Sequence, residues 1–500
     1  MRFNTIISLY FILFNSCAHA QFKNNVWCFG DSCGVKFNQG STQLFTSSSL
    51  TRGSCCSVSD PNGDLLFYAT TAYFPLWWQG YVKLGAVFDK NNNLMQNGDT
   101  LIGALSFQEQ VIIPVPDSDS LFYLFSIGLF TPYGLYYSII DISQNSGLGA
   151  VVLKNIQINN FKATDCLNAV KHANGRDWWL LFRRSDSVNN SYYKYLITPT
   201  GISPPSIQNI GTSTSNNLMH STFSKIGAKY LIVDTRGLIE IYNFDRCSGI
   251  LDSVITIEQE TIPIPGYIGC AFSSNDRYIY VSTNDTTSRI FQYDLLAPNI
   301  ATSKDTIAEL NYPITTGGTI RLAPDDKIYW SCFFIDTLGG TYPYADSVYN
   351  MYNMNLSVIN YPDSGGSTCG FSPFSFYLGG NRSYWGLPNN PQYDMPSLSG
   401  SPCDSLTGIN YITQSTLNAE LFVFYNSIWQ KLFVNAKKIK GKNCLLQIFD
   451  VKGREVFSEK SQRQPPYFTQ NVNCAAFAKG MYVVSLQTEK EKLVKKFLKE

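Results

Sequence analysis

Apolar residues along this chain come in short bursts, each about a strand long, set off by polar turns. Residues 271–295, AFSSNDRYIYVSTNDTTSRIFQYDL, hold two such bursts with polar turns before and between them. Similar turn–strand–turn–strand units begin at Ser59 (SDPNGDLLFYAT), Pro114 (PVPDSDSLFYLFSIG, followed by GLYYSIIDI), Lys171 (KHANGRDWWLLFRR, followed by SYYKYLITPTG), Ser224 (SKIGAKYLIVDTRGLIEIYNFD) and Leu322 (LAPDDKIYWSC). With Asp60, Asp117, Asn174, Ile226, Asn275 and Asp325 as turn markers, the spacings are 57, 57, 52, 49 and 50 residues. A period near 50 built from strands is the signature of propeller blades, because one four-stranded sheet cannot cover both of its faces alone. The pattern therefore predicts an all-β chain. Residues 21–395 are expected to form a β-propeller of about seven four-stranded blades, with six to eight fitting the same span. The N-terminal strand is expected to complete the last blade.

Composition agrees. Aromatics make up 14% of the chain against 15% charged residues, and Gly, Pro, Asn and Ser supply turns between short strands. Charge separates a second region. Residues 420–500 carry 15 Lys plus Arg and 7 Asp plus Glu, a net of +8, which leaves −7 for residues 1–419 of a chain whose total is +1. The lysines of this tail alternate with apolar residues, as on exposed strand faces, so nucleic acid is not an expected partner. Alternation in YVVSLQ and KLVKKFLK suits half-buried strands of a small Ig-like β-sandwich, with turns at Lys452-Gly453 and at 489–491. Between the two regions, residues 396–419 are rich in Ser, Pro and Gly and read as a linker.

The first 20 residues have one Arg, an apolar run from Ile6 to Phe14 and the small-residue end Ala18-His19-Ala20, so a signal peptide cut before Gln21 is expected. The run is too short to span a membrane, and no later segment is an integral membrane span. A lipid-attachment reading at Cys17 is poorly served by Phe14-Asn15-Ser16. Twelve of the 13 cysteines remain after the leader. Export makes disulfides available, with Cys28, Cys33, Cys55 and Cys56 as candidates, and no CxxC pair signals zinc. Connectivity stays open.

Several segments carry a resemblance. NNVWCFGDSCGVKFNQG (24–40), SCCSVSDPNGDLLFYAT (54–70), VFDKNNNLMQNG (87–98), LNAVKHANGRDWWLL (167–181), FSSNDRYIYVST (272–283), LAPDDKIY (322–329) and WGLPNNPQYDM (385–395) resemble the N-terminal propeller of secreted and gliding-associated proteins of Bacteroidota-type bacteria. The chain departs from that family at ATTAYFPLWWQGY (69–81), where the family has T-D-G. In the tail, CLLQIFDVKGREVFSEK (444–460) and AAFAKGMYVVSLQTEKEKLVKKFLKE (475–500) resemble the C-terminal sorting domain of the type IX secretion system. Asp450, Gly453, Gly480, Tyr482, Lys495 and Lys496 stand at its signature positions. The usual N-P opening is replaced by YNSIWQKLFV (425–434). The resemblance implies type IX machinery as a partner of residues 420–500, and a surface-attached or secreted destination.

Catalytic chemistry is thinly represented. His19 leaves with the leader, His172 sits in a turn, and His220 has no acidic or thiol companion at ligand spacing. No HExxH, GxSxG or phosphate loop occurs. The acids Asp60, Asp64, Asp117, Asp119, Asp325 and Asp326 sit at blade turns, where Asp bonds its own backbone. DPNGD and PDSDS fall short of the EF-hand spacing, so no cofactor is expected beyond a weak option of structural calcium. Aromatic loops are the better candidates: Tyr73, Trp77, Trp78, Tyr81 and Tyr133 offer large contact area to a protein or glycan. Packing between blades is the alternative for these rings. The expected function is a non-enzymatic, exported binding propeller. The competing reading is a polysaccharide hydrolase or lyase using carboxylates in the central channel.

Overall fold

The computed structural model describes residues 22–499 apart from 39, 72–83, 104–105, 131, 260–265, 284–286, 311–314, 335–348, 404–418, 427–429, 438 and 463–467. The expected leader and four of the aromatic candidates, Tyr73, Trp77, Trp78 and Tyr81, lie outside the described residues. Up to residue 377 the described strands form seven successive antiparallel sheets, at residues 26–50, 55–89, 110–157, 168–214, 219–258, 267–310 and 315–377. Each strand pairs with the next in the chain, except that Ser206–Thr214 pairs back onto Asn189–Thr198 in the fourth sheet. The arrangement is propeller-like.

The turn markers read from the sequence all fall between the first and second strands of a sheet. Their chemistry explains the repeat. One residue of each such turn has a left-handed backbone: Gly63, Asp117, Gly175, Gly227, Asp276 and Asp326 have φ between 58° and 86°. Gly, Asp and Asn tolerate that conformation best. At Asp60, Asn174, Asn275 and Asp325 the marker side chain also holds the turn. Asp60 Oδ1 accepts the N–H groups of Asn62 and Asp64 at 2.8 and 2.9 Å, and Asn174 Oδ1 accepts those of Arg176 and Asp177 at 3.0 Å.

Strand number departs from four per sheet. The first two sheets have three strands and the fourth has five. In the second sheet, residues 94–101 run beside the third strand through the isolated bridges Phe88–Leu94 and Gly85–Leu101 and the backbone bonds Val87 N–H to Gly98 O (2.7 Å) and Met95 N–H to Val87 O (2.9 Å), without forming a fourth strand. The expected handover at the chain start is also absent. Val26–Phe29 pairs with Asp31–Asn38 in its own sheet, while the seventh sheet ends on its own strand, Phe371–Tyr377. Among the described residues each sheet is built from its own consecutive strands, and none is shared between two sheets.

Side chains make the junctions instead. Separate apolar clusters join the first sheet to the second (Cys28 with Tyr68 and Phe88), the fifth to the sixth (Val233 with Phe272), and the sixth to the seventh (Tyr280 with Trp330). One larger cluster runs from the second sheet to the fifth. The last sheet meets the first through Trp27, Phe37 and Tyr329, whose rings pack edge to face at 4.9, 5.9 and 5.8 Å. Each such pair contributes about 0.5–1.5 kcal/mol beyond its buried area.

The cysteines did not pair where the sequence offered candidates. Cys28, Cys33, Cys55 and Cys56 are buried thiols, and burial pushes the pKa of each upward. They sit on strands as small apolar fillers. The disulfide joins Cys247 to Cys403, 156 residues apart.

The tail consists of two sheets. Glu420–Asn426, Lys431–Lys437 and Phe468–Asn473 form one; Glu455–Gln462, Asn443–Asp450, Gly480–Thr488 and Lys492–Lys499 form the other, in that spatial order. Leu432, Val434 and Val472 from the first meet Leu446, Ile448, Val484 and Leu486 from the second in one core. Alternation puts the remaining side chains outside, as in Asn443–Asp450.

Candidate functional site

The opening strands of the seven sheets are where a propeller would present a channel. In this chain the segment after the last sheet, residues 385–398, is laid along them. Asn389 does most of the fastening. Its N–H donates to the Cys55 carbonyl at 2.7 Å, its Nδ2 to the carbonyls of Gln110 and Leu167 at 2.8 Å each, and its Oδ1 accepts Gln108 Nε2 at 3.0 Å. Asn390 Oδ1 accepts the Ser57 N–H at 2.8 Å, and Tyr393 donates its hydroxyl to the Ile112 carbonyl at 3.0 Å. Strands of the second, third and fourth sheets are thereby tied to one strap. The seventh contributes Thr319, whose N–H and hydroxyl bond Trp385 O and Leu387 N–H at 2.7 and 2.8 Å.

The strap continues into the stretch expected to be a linker. Pro396 O accepts Arg246 Nη2 at 2.7 Å, the Leu398 N–H donates to Ala173 O at 2.7 Å, and Cys403 is bonded to Cys247. Gly386 passes so close to the connection between the first and second sheets that a Cβ there would fall on the Gly53 carbonyl. WGLPNNPQYDM was legible in the sequence only as a resemblance. Its two prolines and paired asparagines were the available signal, since an amide can satisfy the inward-facing backbone groups of several strands at once.

The carboxylates here are Glu109 and Asp165, both buried, and the strap's own Asp394, whose pKa desolvation raises to about 6. Asp165, fully buried, accepts the N–H groups of Phe107 and Gln108 at 2.7 Å. Burial pushes its pKa up to about 7, against the lowering effect of those two bonds. The turn acids are engaged elsewhere. Asp326 holds Lys225 Nζ at 2.5 Å, Asp117 meets Arg176 at 3.3 Å, and Asp325 accepts the Lys327 N–H and the Tyr329 hydroxyl. Among the described residues no three His, Cys, Asp or Glu side chains converge as metal ligands. His172 is a turn residue, with Nδ1 accepting the Asn174 N–H at 3.1 Å and Nε2 2.9 Å from the Cys247 carbonyl.

Two aromatic surfaces of the described body are open to a ligand. Tyr133, half-buried between the second and third strands of the third sheet, has Lys162 Nζ 4.8 Å from its ring centre. Between the first and seventh sheets lies an open cavity of about 630 Å³. Phe22, Phe37, Tyr329 and Phe376 line it, with Asn25 and Asp325 among its polar groups.

In the tail the signature residues separate into structural and exposed ones. Asp450 Oδ1 accepts the N–H groups of Lys452 and Arg454 at 2.9 and 3.0 Å, which holds its carboxyl below the ordinary value, and Gly453 takes φ +76°. Gly480 has φ +148° at the head of its strand. Tyr482 donates to Ala478 O at 2.7 Å and stacks on Phe497 at 5.3 Å. Lys495 and Lys496 are exposed on the edge strand. Sequence reasoning passed over Lys499. It is 6% exposed, and its Nζ donates to the carbonyls of Cys474, Ala475 and Phe477 at 2.7, 3.3 and 2.6 Å.

Among solved structures, the chain is similar to candidate 6-phosphogluconolactonases from Bacteroides uniformis (13% identity, TM-score 0.41, covering 63% of this chain and 94% of that one) and Bacteroides fragilis (11%, 0.40, 65% and 94%). A third is the β-propeller domain of Cps50 (Swd1) from Myceliophteria thermophila (10%, 0.37, 63% and 97%). With TM-scores below 0.5, these likenesses carry no weight for fold or activity. No curated protein matches the chain. The tail is different: residues 428–500 match the family of the secretion system C-terminal sorting domain, the type IX export tail.

Proposed function

We propose that this chain is an exported, non-enzymatic binding protein. Its body is a ring of seven blades, and an Ig-like sandwich at residues 420–500 addresses it to the type IX machinery for display on the cell surface or release. The observation that carries this reading is the match of residues 428–500 to the sorting domain. A signal peptide at residues 1–20 provides the first membrane crossing, and the tail provides the second. The ligand is an extracellular protein or glycan, met by aromatic residues such as Tyr133, by the candidates Tyr73, Trp77, Trp78 and Tyr81, or by the cavity between the first and seventh sheets. Aromatic rings flanked by amides and carboxylates suit both partners.

The competing reading, a hydrolase or lyase, needs two carboxylates facing a substrate across roughly 5–10 Å. The strap occupies the place such a substrate would take, and Asp165 is spent on two backbone N–H groups. Both facts support binding over cleavage.

The test is to express the chain in a type IX-competent host with and without residues 420–500, then fractionate the cells. Full-length protein at the surface or in the medium, with the truncated form held in the periplasm, supports the reading. Equal distribution of the two forms removes it.

A further inference from the structure

At one end of the opening strands of the fifth, sixth and seventh sheets the strap does not fill all the space. A cavity of about 30 Å³ remains, lined among others by His220, Thr222, Lys225, Cys270, Arg321 and, from the strap, Gln392. That is more than one water needs and less than a sugar ring. No Asp or Glu lines it.

Arg321 supplies the charge that reaches this space. Its Nη2 donates to the Asn390 carbonyl, but its buried Nε has no acceptor, and no carboxylate pairs with it among the described residues. Burial lowers its pKa to about 10, and the neighbours opposing that are neutral Tyr393 and Cys55. A guanidinium taken out of water without a counter-charge is costly: Arg52 and Arg382 offset it by sharing Asp31, whereas Arg183, like Arg321, meets backbone carbonyls and, among the described residues, no carboxylate.

His220 adds a second donor. Its Nδ1 accepts the Cys270 N–H at 3.3 Å and lies 3.5 Å from the Cys270 thiol. Burial and the nearby Arg321 charge lower its pKa to about 3, so the ring is neutral and carries its proton on Nε2. Among the described residues that N–H has no acceptor. Lys225 in its wall is already held by Asp326, so the cavity offers the Arg321 charge and neutral donors, with no Asp or Glu in its lining.

We propose that this cavity is an oxyanion site that takes a carboxylate or sulfate group, with Arg321 as the charge partner and His220 Nε2–H and the Gln392 amide as neutral donors. A planar guanidinium matches both groups geometrically. The site goes beyond the export reading and does not depend on it. Its size admits the charged group of a ligand and leaves the rest outside, whether that ligand is a free ion or an acidic sugar.

The mature chain, residues 21–500 without a histidine tag, contains only two histidines, His172 and His220. Histidine-labelled protein is titrated with sodium sulfate and, separately, sodium glucuronate, with chloride holding ionic strength constant. His220→Asn assigns the signals. The proposal expects the His220 signal to shift saturably while His172 stays in place. Arg321→Gln should weaken the anion by about tenfold or more, the loss expected for one charge-assisted contact. Saturation with glucuronate assigns the site to carboxylates, and saturation with sulfate alone assigns it to sulfate. If Arg321→Gln does not fold, the wild-type thermal midpoint is followed in sulfate against chloride, where a saturating rise replaces the variant. A linear drift of both histidines, no response to either anion, or an unchanged titration in Arg321→Gln overturns the proposal.

Discussion

Asp31 and Arg382 stand 351 positions apart in the chain and meet as a buried ion pair, with Nε and Nη2 of the arginine 2.8 and 2.6 Å from Oδ2 of the aspartate. Arg52 takes the other carboxylate oxygen. The Arg382 peptide also forms an isolated bridge with Asp31, so the pair staples the segment after the seventh sheet to the first sheet. Replacing Asp31 by Ala leaves two guanidinium groups, each about 2% exposed, without their shared anion. The expected loss is about 3–5 kcal/mol, read as a lower urea midpoint. A change below about 1 kcal/mol would show that the junction stands on Trp27, Phe37 and Tyr329 alone.

The strap can be probed at Gly386. A methyl group there must displace the Gly53 backbone, so Gly386→Ala should cost about 1–3 kcal/mol or more. Gly40→Ala is the comparison: it meets nothing within 4 Å and suffers only its φ of +80°, a cost near 1 kcal/mol. Equal effects in thermal unfolding would mean that the strap is loosely held.

For the tail, Lys499→Met leaves three carbonyls without their shared donor, and unfolding of residues 420–500 should become easier by about 1–3 kcal/mol. Lys495→Ala and Lys496→Ala remove exposed charges and should change stability by less than about 0.5 kcal/mol. Export assays then separate two roles. Loss with Lys499→Met alone points to tail folding, whereas loss with the exposed variants at normal stability points to recognition.

Asp165 predicts a pH dependence. Its pKa is raised from 3.8 to about 7 in the folded chain, so the folded state holds this proton more tightly than the unfolded one. Its contribution is complete below about pH 4 and is lost as pH rises towards 7. His220 acts in the opposite sense, because its lowered pKa costs stability as pH falls from 6.5 towards 3. The check is therefore a difference: wild type minus Asp165→Asn, measured by urea unfolding from pH 4 to 8. That difference should move against wild type across the window, and a flat difference would refute the assignment.

Much of the fold was legible because its signals are local. The markers at Asp60, Asn174 and Asn275 act through bonds to their own turns, so a sequence window of a few residues contains the whole interaction. The first sheet's Val26–Phe29 shows the limit. Its apolar pattern says strand, but which neighbour it joins depends on whether the seventh sheet already has four strands, and that is decided more than 300 residues later. Lys499 was missed for a similar reason, since nothing near it in the chain announces three carbonyls from residues 474–477.

What the sequence determined by itself is the repeat near 50 residues, the all-β character, the change of charge at the tail and the hairpins at 450–454 and 488–492. Each rests on spacing, alternation or turn chemistry within one unit. The tertiary structure alone decided that Asn389 ties three sheets together, that Cys247 meets Cys403, that Asp31 holds two arginines, and that Arg321 and His220 face one small cavity. These contacts join residues tens to hundreds of positions apart. They exist only once the sheets are packed, because burial is what turns an ordinary Asn, Arg or His into a group that must find a partner.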